Sequence, residues 1–211
     1  MGNFLIVDHP LLKRDLTILR NKDTKTEQFR MAFRRIASLL AFEACKNFKL
    51  NETTVETPLE KTVGYELGQE IILMPILRAG LSMVNPFLEI VPDAKVGHIG
   101  IQRNEETLEP MEYYFKAPNS VPDSRILVLD PMLATGGSAS TAISFLKKRG
   151  AKTITFVCVV AAPEGVKRLA KDHPDVPIFS ATLDRELNDK GYILPGLGDA
   201  GDRAFGTFWY Y

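Results

Sequence analysis

The stretch Arg125-Ile-Leu-Val-Leu-Asp130-Pro-Met-Leu-Ala-Thr135-Gly-Gly-Ser138 decides the fold of this chain. It begins as an apolar run that ends on a carboxylate, Asp130, and continues as a turn rich in glycine and hydroxyl groups. Apolar residues then recur at helical spacing, which predicts a helix over Ala139–Arg149. A strand, a tight turn and a helix N-terminus predict an anion site, because free backbone N–H groups and the positive end of the helix dipole meet there.

The carboxylate at the head of this turn adds chemistry that a simple phosphate-binding turn lacks. Asp130 can accept hydrogen bonds from sugar hydroxyls or help to hold a metal ion. Phosphate, sugar and metal together favour a phosphorylated ribose as the ligand. The turn is not a P-loop, because no Gly-Lys-Ser/Thr follows it. A plain connection between a strand and a helix is the alternative that the residues leave open.

Strand and helix signals alternate along most of the chain. Continuous apolar runs, typical of strands buried on both faces, alternate with segments of helical periodicity. The pattern predicts an α/β fold with a doubly wound, mainly parallel sheet in a single domain over residues 1–211. The predicted strands are Ile71–Leu77, Lys95–Gln102, Met111–Lys116, Ile126–Leu129, Ile154–Ala161 and Ile178–Leu183, and the predicted helices between them are Leu81–Ile90, Ala139–Arg149 and Pro163–Lys171.

Two helices are predicted ahead of this pattern. Leu11–Arg20 is the first, and a capping box at Thr24–Glu27 opens the second. The second helix carries an apolar stripe that is typical of either the core or a subunit interface: Phe29, Phe33, Ile36, Leu40, Ala44 and Phe48. Because of this stripe and the aromatic end Phe208–Tyr211, we expect a homodimer or a homotetramer.

Two arginines lie where a doubly wound sheet binds its ligands, at the carboxyl ends of strands. Arg78 follows the buried run Ile71–Leu77, and Arg103 ends a strand before a polar turn that reaches Pro110. The polar turn and the strand after it predict an exposed hairpin. A structural ion pair for Arg78 and a solvated strand end for Arg103 are the alternatives.

The composition excludes several classes of function. Lysine and arginine together number 26, as do aspartate and glutamate, so the net charge is zero and a strong grip on a nucleic-acid polymer is not expected. No apolar run approaches the length of a membrane span. Cys45 and Cys158 lack the spacing of a disulfide framework or a metal site and are expected to be reduced core residues, which favours a cytoplasmic protein.

The C-terminal segment contains a literal GxGxxG pattern at Gly196, Gly198 and Gly201. A dinucleotide site is rejected, because Pro195 precedes the first glycine and only ten residues follow the last one. The segment is nevertheless too apolar for a free tail, since Tyr192-Ile-Leu lies within it. We therefore expect it to fold against the rest of the chain.

Four segments taken together closely resemble the uracil phosphoribosyltransferase family. The resemblance covers essentially the whole chain, and the last segment is the one that indicates uracil. The segments are Pro75–Gly80, Arg103–Pro110, Asp130–Ser138 and Gly191–Asp202.

The resemblance implies a type I phosphoribosyltransferase fold with N-terminal helices, a protruding β-hairpin flap over about residues 100–117 and a base-binding hood over about residues 185–207. It also implies a pentosyl transfer in pyrimidine salvage, in which uracil and 5-phospho-α-D-ribose 1-diphosphate give UMP and pyrophosphate with Mg²⁺ as the cofactor. GTP activates some relatives, and the resemblance leaves open whether GTP is an effector of this protein.

The resemblance further implies three sets of site residues. The catalytic set is Asp130, Arg78, Arg103 and Asp199. The set that binds the phosphoribosyl donor is Arg78, Arg103, Asp130, Pro131, Met132, Leu133, Ala134, Thr135, Gly136, Gly137, Ser138 and Asp199. The uracil set is Tyr192, Ile193, Gly198, Asp199 and Ala200. No residue is expected to bind the metal directly, because Pro131 stands where related phosphoribosyltransferases carry a second acidic residue; substrate oxygens and water would hold the Mg²⁺.

Three other functions compete with this one. The nearest is the same transfer to another base, such as guanine or hypoxanthine. A second is a regulatory protein that keeps the fold and binds RNA, which the balanced charge disfavours. A third is an interaction module built on the long N-terminal helix, which leaves Arg78 and Asp130–Ser138 without a purpose.

Overall fold

The computed structural model describes residues 3–103 and 110–207 of the chain. In chain order the elements are β1 (Phe4–Ile6), α1 (Pro10–Arg20), α2 (Thr26–Cys45), β2 (Leu50–Glu56), β3 (Lys61–Leu67), β4 (Ile71–Leu77), α3 (Leu81–Ile90), β5 (Lys95–Val96), β6 (His98–Arg103), β7 (Pro110–Lys116), β8 (Arg125–Leu129), β9 (Met132–Leu133), α4 (Gly137–Lys148), β10 (Thr153–Ala161), α5 (Pro163–Asp172), β11 (Ile178–Leu183), β12 (Glu186–Leu187), β13 (Ile193–Leu194) and α6 (Ala200–Phe205).

A mainly parallel sheet organises these elements. Its strand order is β1-β11-β10-β8-β4-β6-β7, and neighbouring strands are parallel except for the antiparallel pair β6 and β7. The short strands β5 and β9 pair with β4 and β10. The prediction of a doubly wound, mainly parallel sheet with an antiparallel hairpin is therefore confirmed.

The order of the strands places a ligand crevice at β4 and β8. From β4 the chain runs outward to β6 and β7, returns to β8 on the other side of β4, and then continues outward through β10 and β11. The winding direction thus reverses between β4 and β8, and such a reversal leaves a crevice at the carboxyl ends of the two strands. Arg78 follows β4 and Asp130 follows β8, so the topology brings these two predicted site residues to one crevice.

Helices cover both faces of the sheet. Helices α1, α2, α3 and α6 contribute to the apolar core on one face, and α4 and α5 contribute to the core on the other. Alternate side chains of β4 belong to the two cores: Leu73 faces the first core, whereas Ile72 and Met74 face the second. This is why β4 reads as a continuous apolar run.

The apolar stripe of α2 belongs to the core of the single chain. Phe29, Ile36 and Leu40 are fully buried without any partner subunit, so the stripe is no interface. The predicted capping box is wrong: α2 begins at Thr26, and the hydroxyl of Thr24 donates a hydrogen bond of 2.7 Å to the carbonyl of Ile18 instead of capping the helix.

The β2–β3 hairpin was not predicted from the sequence. Its strands pair in register from Leu50 with Leu67 to Glu56 with Lys61. Most of its side chains are exposed, so its sequence lacks the alternation of a half-buried strand. The single predicted strand Lys95–Gln102 is divided at Gly97 into β5 and β6.

Within residues 3–103 and 110–207, no helix is both long and apolar enough to cross a membrane.

Candidate functional site

The turn between β8 and α4 forms the floor of the crevice. Asp130 leaves β8 with its N–H donating to the carbonyl of Val157 at 3.2 Å. Gly136 has a φ of 75°, a left-handed conformation that favours glycine. Because this turn is so tight, α4 begins at Gly137, two residues earlier than predicted. The N-terminus of a twelve-residue helix therefore points its free N–H groups at the position where a phosphate is expected.

Only part of Asp130–Ser138 is free to face a ligand with its side chains. Met132 and Leu133 form the short strand β9, and Pro131 leads into it: the carbonyl of Pro131 accepts the N–H groups of Val159 and Val160, and that of Leu133 accepts from Ala162. The side chain of Leu133 is fully buried in the core. The predicted donor contacts of these residues therefore remain backbone contacts, whereas Thr135 and Ser138 keep side chains at the surface of the turn.

The carboxyl group of Asp130 has a strongly perturbed pKa. Burial raises the pKa to about 7, the N–H of Met132 at 3.4 Å lowers it, and the negative charge of Asp199 raises it further. The two carboxyl groups lie close enough to interact, although 69 residues separate them in the chain. Near neutral pH the carboxyl group of Asp130 is therefore divided between its charged and its protonated form, and both forms keep an oxygen that can accept a hydroxyl donor.

Arg78 stands beside this turn. It follows β4 through a cis peptide bond with Leu77, and Gly80 closes the turn so tightly that a Cβ there would lie 2.3 Å from the carbonyl oxygen of Leu129. The Arg78 turn therefore packs directly on the end of β8. Its side chain is 65% exposed and its nearest ion pair, with Asp202, is 3.8 Å long. A structural ion pair thus does not account for Arg78, and its guanidinium group is available to a ligand.

The predicted hood contains the β12–β13 hairpin and α6. Gly191 lies against the Cγ2 atom of Thr135, since a Cβ on the glycine would be 3.7 Å away, and Gly201 lies in the same way against Ala79. Asp199 caps α6 by accepting the N–H of Asp202 at 2.8 Å. The hood therefore contacts the phosphate turn at one end and the Arg78 turn at the other.

The predicted uracil residues differ in what they expose. Ile193 and Ala200 are buried, Tyr192 is exposed, and Gly198 has a φ of 80°. Within the part of the chain that the structure describes, the N–H groups of Gly198 and Asp199 have no hydrogen-bond partner. This segment can consequently recognise a base with its main chain, as the resemblance implies.

A cavity of about 390 Å³ lies between the hood and the end of α1. Tyr192, Gly198 and Asp199 line it together with Arg20 and Lys22. Asp130 does not line it, so the cavity lies beside the hood and apart from the phosphate turn.

Arg103 is the last residue of β6, and its side chain lies outside the described residues. The strands β6 and β7 form the predicted hairpin near residues 100–117, and its tip, residues 104–109, also lies outside them. The role of Arg103 therefore stays a prediction. The same is true of the aromatic segment 208–211.

Arg168 is a cation that sequence reasoning missed. Gly165 packs α5 tightly on the turn, because a Cβ there would lie 2.4 Å from the carbonyl oxygen of Ala134. One helical turn later, the Nη1 atom of Arg168 lies 3.5 Å from the position of a Cβ on Gly137. The spacing of Gly165 and Arg168 was visible in the sequence, but nothing in it indicated that α5 docks on the phosphate turn.

The donor set fits a metal ion held by its substrate. Within residues 3–103 and 110–207, no group of three or more His, Cys, Asp or Glu side chains is placed to hold a metal. The interacting pair Asp130 and Asp199 offers carboxylate oxygens without making a complete coordination shell. These residues suit Mg²⁺ that arrives with a polyphosphate and keeps several waters.

Comparisons with known proteins match nearly the whole chain to one family. The family model described as uracil phosphoribosyltransferase matches residues 6–207. Relatives named uracil phosphoribosyltransferase from Salinibacter ruber and Streptococcus mutans are each 56% identical; the matches cover 98% of this chain and 99% and 100% of theirs.

Solved structures agree in fold. A protein of Aquifex aeolicus, 41% identical, superposes with a TM-score of 0.91 over 98% of this chain and 100% of its own. A hypoxanthine-guanine phosphoribosyltransferase from Bacillus anthracis, 12% identical, gives 0.53 over 75% and 80%, and shows the shared fold alone. The family match over nearly the whole chain, on a fold with this crevice and this hood, shows that the chain belongs to the uracil phosphoribosyltransferase family.

Proposed function

We propose that this protein transfers the phosphoribosyl group of 5-phospho-α-D-ribose 1-diphosphate to N1 of uracil, giving UMP and pyrophosphate. The observation that carries the proposal is the hood: it lies over both the phosphate turn and the Arg78 turn, with the N–H groups of Gly198 and Asp199 unpaired among the described residues. A base held there and a ribose phosphate held at the N-terminus of α4 would meet in one crevice. The relatives' names support uracil as that base.

The phosphate turn and Asp130 hold the ribose end of the donor. The N–H groups of Gly137 and Ser138 and the hydroxyl of Thr135 donate to the 5-phosphate. Asp130 accepts from the ribose hydroxyls, which fix the sugar with its C1 atom toward the base. No protein nucleophile is needed, because orientation and charge stabilisation carry the reaction.

Arg78 and Arg103 act at the opposite end of the donor. As the bond between C1 and the pyrophosphate oxygen breaks, negative charge builds on the leaving group and positive charge on the ribose carbon. Guanidinium groups aimed at the leaving oxygens stabilise this charge. The new bond forms between C1 and N1 of uracil, and the proton of N1 leaves to solvent.

The hood selects the base through its main chain. The imide edge of uracil presents acceptor, donor and acceptor in order, and backbone N–H and C=O groups can match that order. Cytosine presents an amino group, which is a donor, at the position where uracil presents a carbonyl acceptor. Each such mismatch leaves buried groups unpaired at a cost of about 1–3 kcal/mol. Selection for uracil follows from this mismatch.

Mg²⁺ is the proposed cofactor. When bound, it neutralises part of the charge on the pyrophosphate group. Substrate oxygens and water would hold the ion, with the carboxylates of Asp130 and Asp199 near the donor.

The exposed apolar side chains support an assembly of two or four copies. Those of Phe42, Leu59 and Tyr65 are more than 60% exposed, and the last two lie on or beside the β2–β3 hairpin. A patch of this kind, including Leu50 and Val63, is typical of an interface. A single species of monomer mass in light scattering at micromolar concentration would overturn the homodimer or homotetramer.

Activation by GTP is carried over from the resemblance alone, and a cytoplasmic location from the interpretation of Cys45 and Cys158 as reduced core residues. Initial rates with and without GTP at subsaturating donor test the first. Equal rates would remove GTP as an effector.

The activity itself is tested by UMP formation from uracil and 5-phospho-α-D-ribose 1-diphosphate, with and without Mg²⁺, and with cytosine, guanine and hypoxanthine as controls. Metal-dependent turnover with uracil alone is expected. Turnover with a purine instead would move the proposal to another base. Tight nucleotide binding without any turnover would favour a regulatory protein, which gel shifts with RNA would examine.

A further inference from the structure

Arg20, the last residue of α1, contacts Asp184 and the hood. Arg20 makes two hydrogen bonds of 2.6 and 2.9 Å to the carboxylate of Asp184, which follows β11 and has a side chain only 2% exposed. A bidentate arginine–carboxylate pair on a buried carboxylate forms only in a narrow range of geometries. The pair therefore fixes the position of both side chains relative to the core.

The same ion pair holds both polar groups of one hood residue. Asp184 accepts the N–H of Gly196 at 2.8 Å, and Arg20 donates to the carbonyl oxygen of Gly196 at 3.1 Å. Gly196 has a φ of 62°, and a Cβ there would lie 2.2 Å from the carbonyl oxygen of Ile193. The turn can form only with glycine, and the ion pair clamps it from both sides.

Arg203 directs the next carbonyl toward the end of α1 as well. Its Nη1 atom donates to the carbonyl of Leu197 at 2.7 Å and also to the carbonyl of Leu19, and its Nη2 atom donates to Asn21 at 2.7 Å. The carbonyls of residues 196 and 197 are thus turned inward. The N–H groups of Gly198 and Asp199, which follow, have no partners among the described residues.

We propose that Arg20 and Asp184 are positioning residues for the base: by clamping Gly196 they set the main chain at residues 198–200 that faces uracil. The proposal rests on the proposed function. An unclamped glycine-rich loop would have to be ordered at the moment of binding, which weakens affinity for the ligand that the loop contacts. Apart from Asp199, the donor binds to elements outside the hood, so its affinity depends less on the clamp than that of uracil.

The chain offers a matched control on the same helix. Arg35 of α2 pairs with Asp15 of α1 through two hydrogen bonds of 2.8 and 2.7 Å, and the side chain of Asp15 is fully buried. This pair has the geometry of the clamp but contacts no hood residue. Asp15 keeps a second partner, Arg14, at 3.1 Å, so Arg35→Gln reports what the loss of one arginine from a buried ion-pair cluster does to the protein without touching Gly196.

The experiment measures the KM for uracil, the KM for the donor and the unfolding temperature of four variants, Arg20→Gln, Asp184→Asn, Arg20→Lys and Arg35→Gln. Arg20→Gln and Asp184→Asn are expected to raise the KM for uracil by about tenfold or more and the KM for the donor by less than about twofold. Arg20→Lys keeps one charged donor and should recover part of the uracil affinity. Arg35→Gln should lower the unfolding temperature and leave both KM values unchanged.

Asp184→Asn separates positioning from direct contact, because Asp184 does not line the cavity beside the hood, whereas Arg20 does. A uracil KM that stays normal in Asp184→Asn and Arg20→Gln overturns the proposal, as do equal increases in both KM values. Should Asp184→Asn fail to fold, the two Arg20 variants decide, since the Arg20 side chain is 28% exposed. Absence of UMP formation by the wild-type protein refutes the proposed function instead and is seen before any variant is compared.

Discussion

Replacing Asp130 with asparagine should stabilise the protein while abolishing its activity. Burial and the charge of Asp199 raise the pKa of the carboxyl group from its ordinary value of 3.8 to about 7. Between these two values the folded protein holds a proton that the unfolded chain has lost. The free energy of unfolding therefore falls as the pH rises through this window, and the loss is complete above pH 7.

The size of the effect follows from the shift. About three pKa units at 1.36 kcal/mol each give a cost of about 4 kcal/mol at pH 8, compared with about 2 kcal/mol at pH 5. Asp130→Asn removes the ionisation and keeps an oxygen for the N–H of Met132. The variant should thus gain about 2 kcal/mol over the wild type between pH 5 and pH 8.

Urea unfolding of the ligand-free proteins at pH 5 and pH 8 measures this difference, and a UMP assay on the same samples measures activity. A stability difference that does not grow with pH would refute the assigned environment of Asp130. A stable variant with near-normal turnover would refute its role with the ribose.

Three further predictions follow from the packing around the site. Gly198→Val forces a branched side chain into a left-handed conformation and should raise the KM for uracil more than that for the donor, whereas equal increases would argue against a main-chain base pocket. Phe33→Ala removes a buried ring stacked on Phe29 at 6.1 Å and should cost about 3–5 kcal/mol in urea unfolding; a cost below about 1 kcal/mol would contradict its place in the core. Arg168→Gln should raise the KM for the donor about three- to tenfold by removing a cation beside the phosphate turn, and the neighbouring Lys167→Gln should not; identical values for both variants would exclude a phosphate contact.

Local pattern predicted much of the framework. The bounds of α3 and β11 agree with the prediction, because an apolar strand buried on both faces and a helix of regular periodicity carry their signals in consecutive residues. The glycine-rich turn after β8 could likewise be predicted from the sequence, since a left-handed residue and a helix N-terminus need particular residue types. The capping box failed because the Thr24 hydroxyl found a partner in α1 instead.

Strand order and the contacts across it were beyond the sequence. The chain separates Asp130 from Asp199 and Arg20 from Asp184, and only the folded sheet and the hood bring these groups together. The β2–β3 hairpin escaped prediction for a related reason, since its side chains have no buried face within the chain.

The sequence by itself therefore determined the α/β class, the phosphate turn and, through resemblance, the family. These depend on residue types at short spacing, where propensity and periodicity act directly. Only the tertiary structure decided that the apolar stripe of α2 is core, that Arg168 adjoins the phosphate turn and that the end of α1 holds Gly196 of the hood. Such contacts depend on which faces pack together, and the free energy that selects them comes from burial over the whole fold, not from neighbours in the chain.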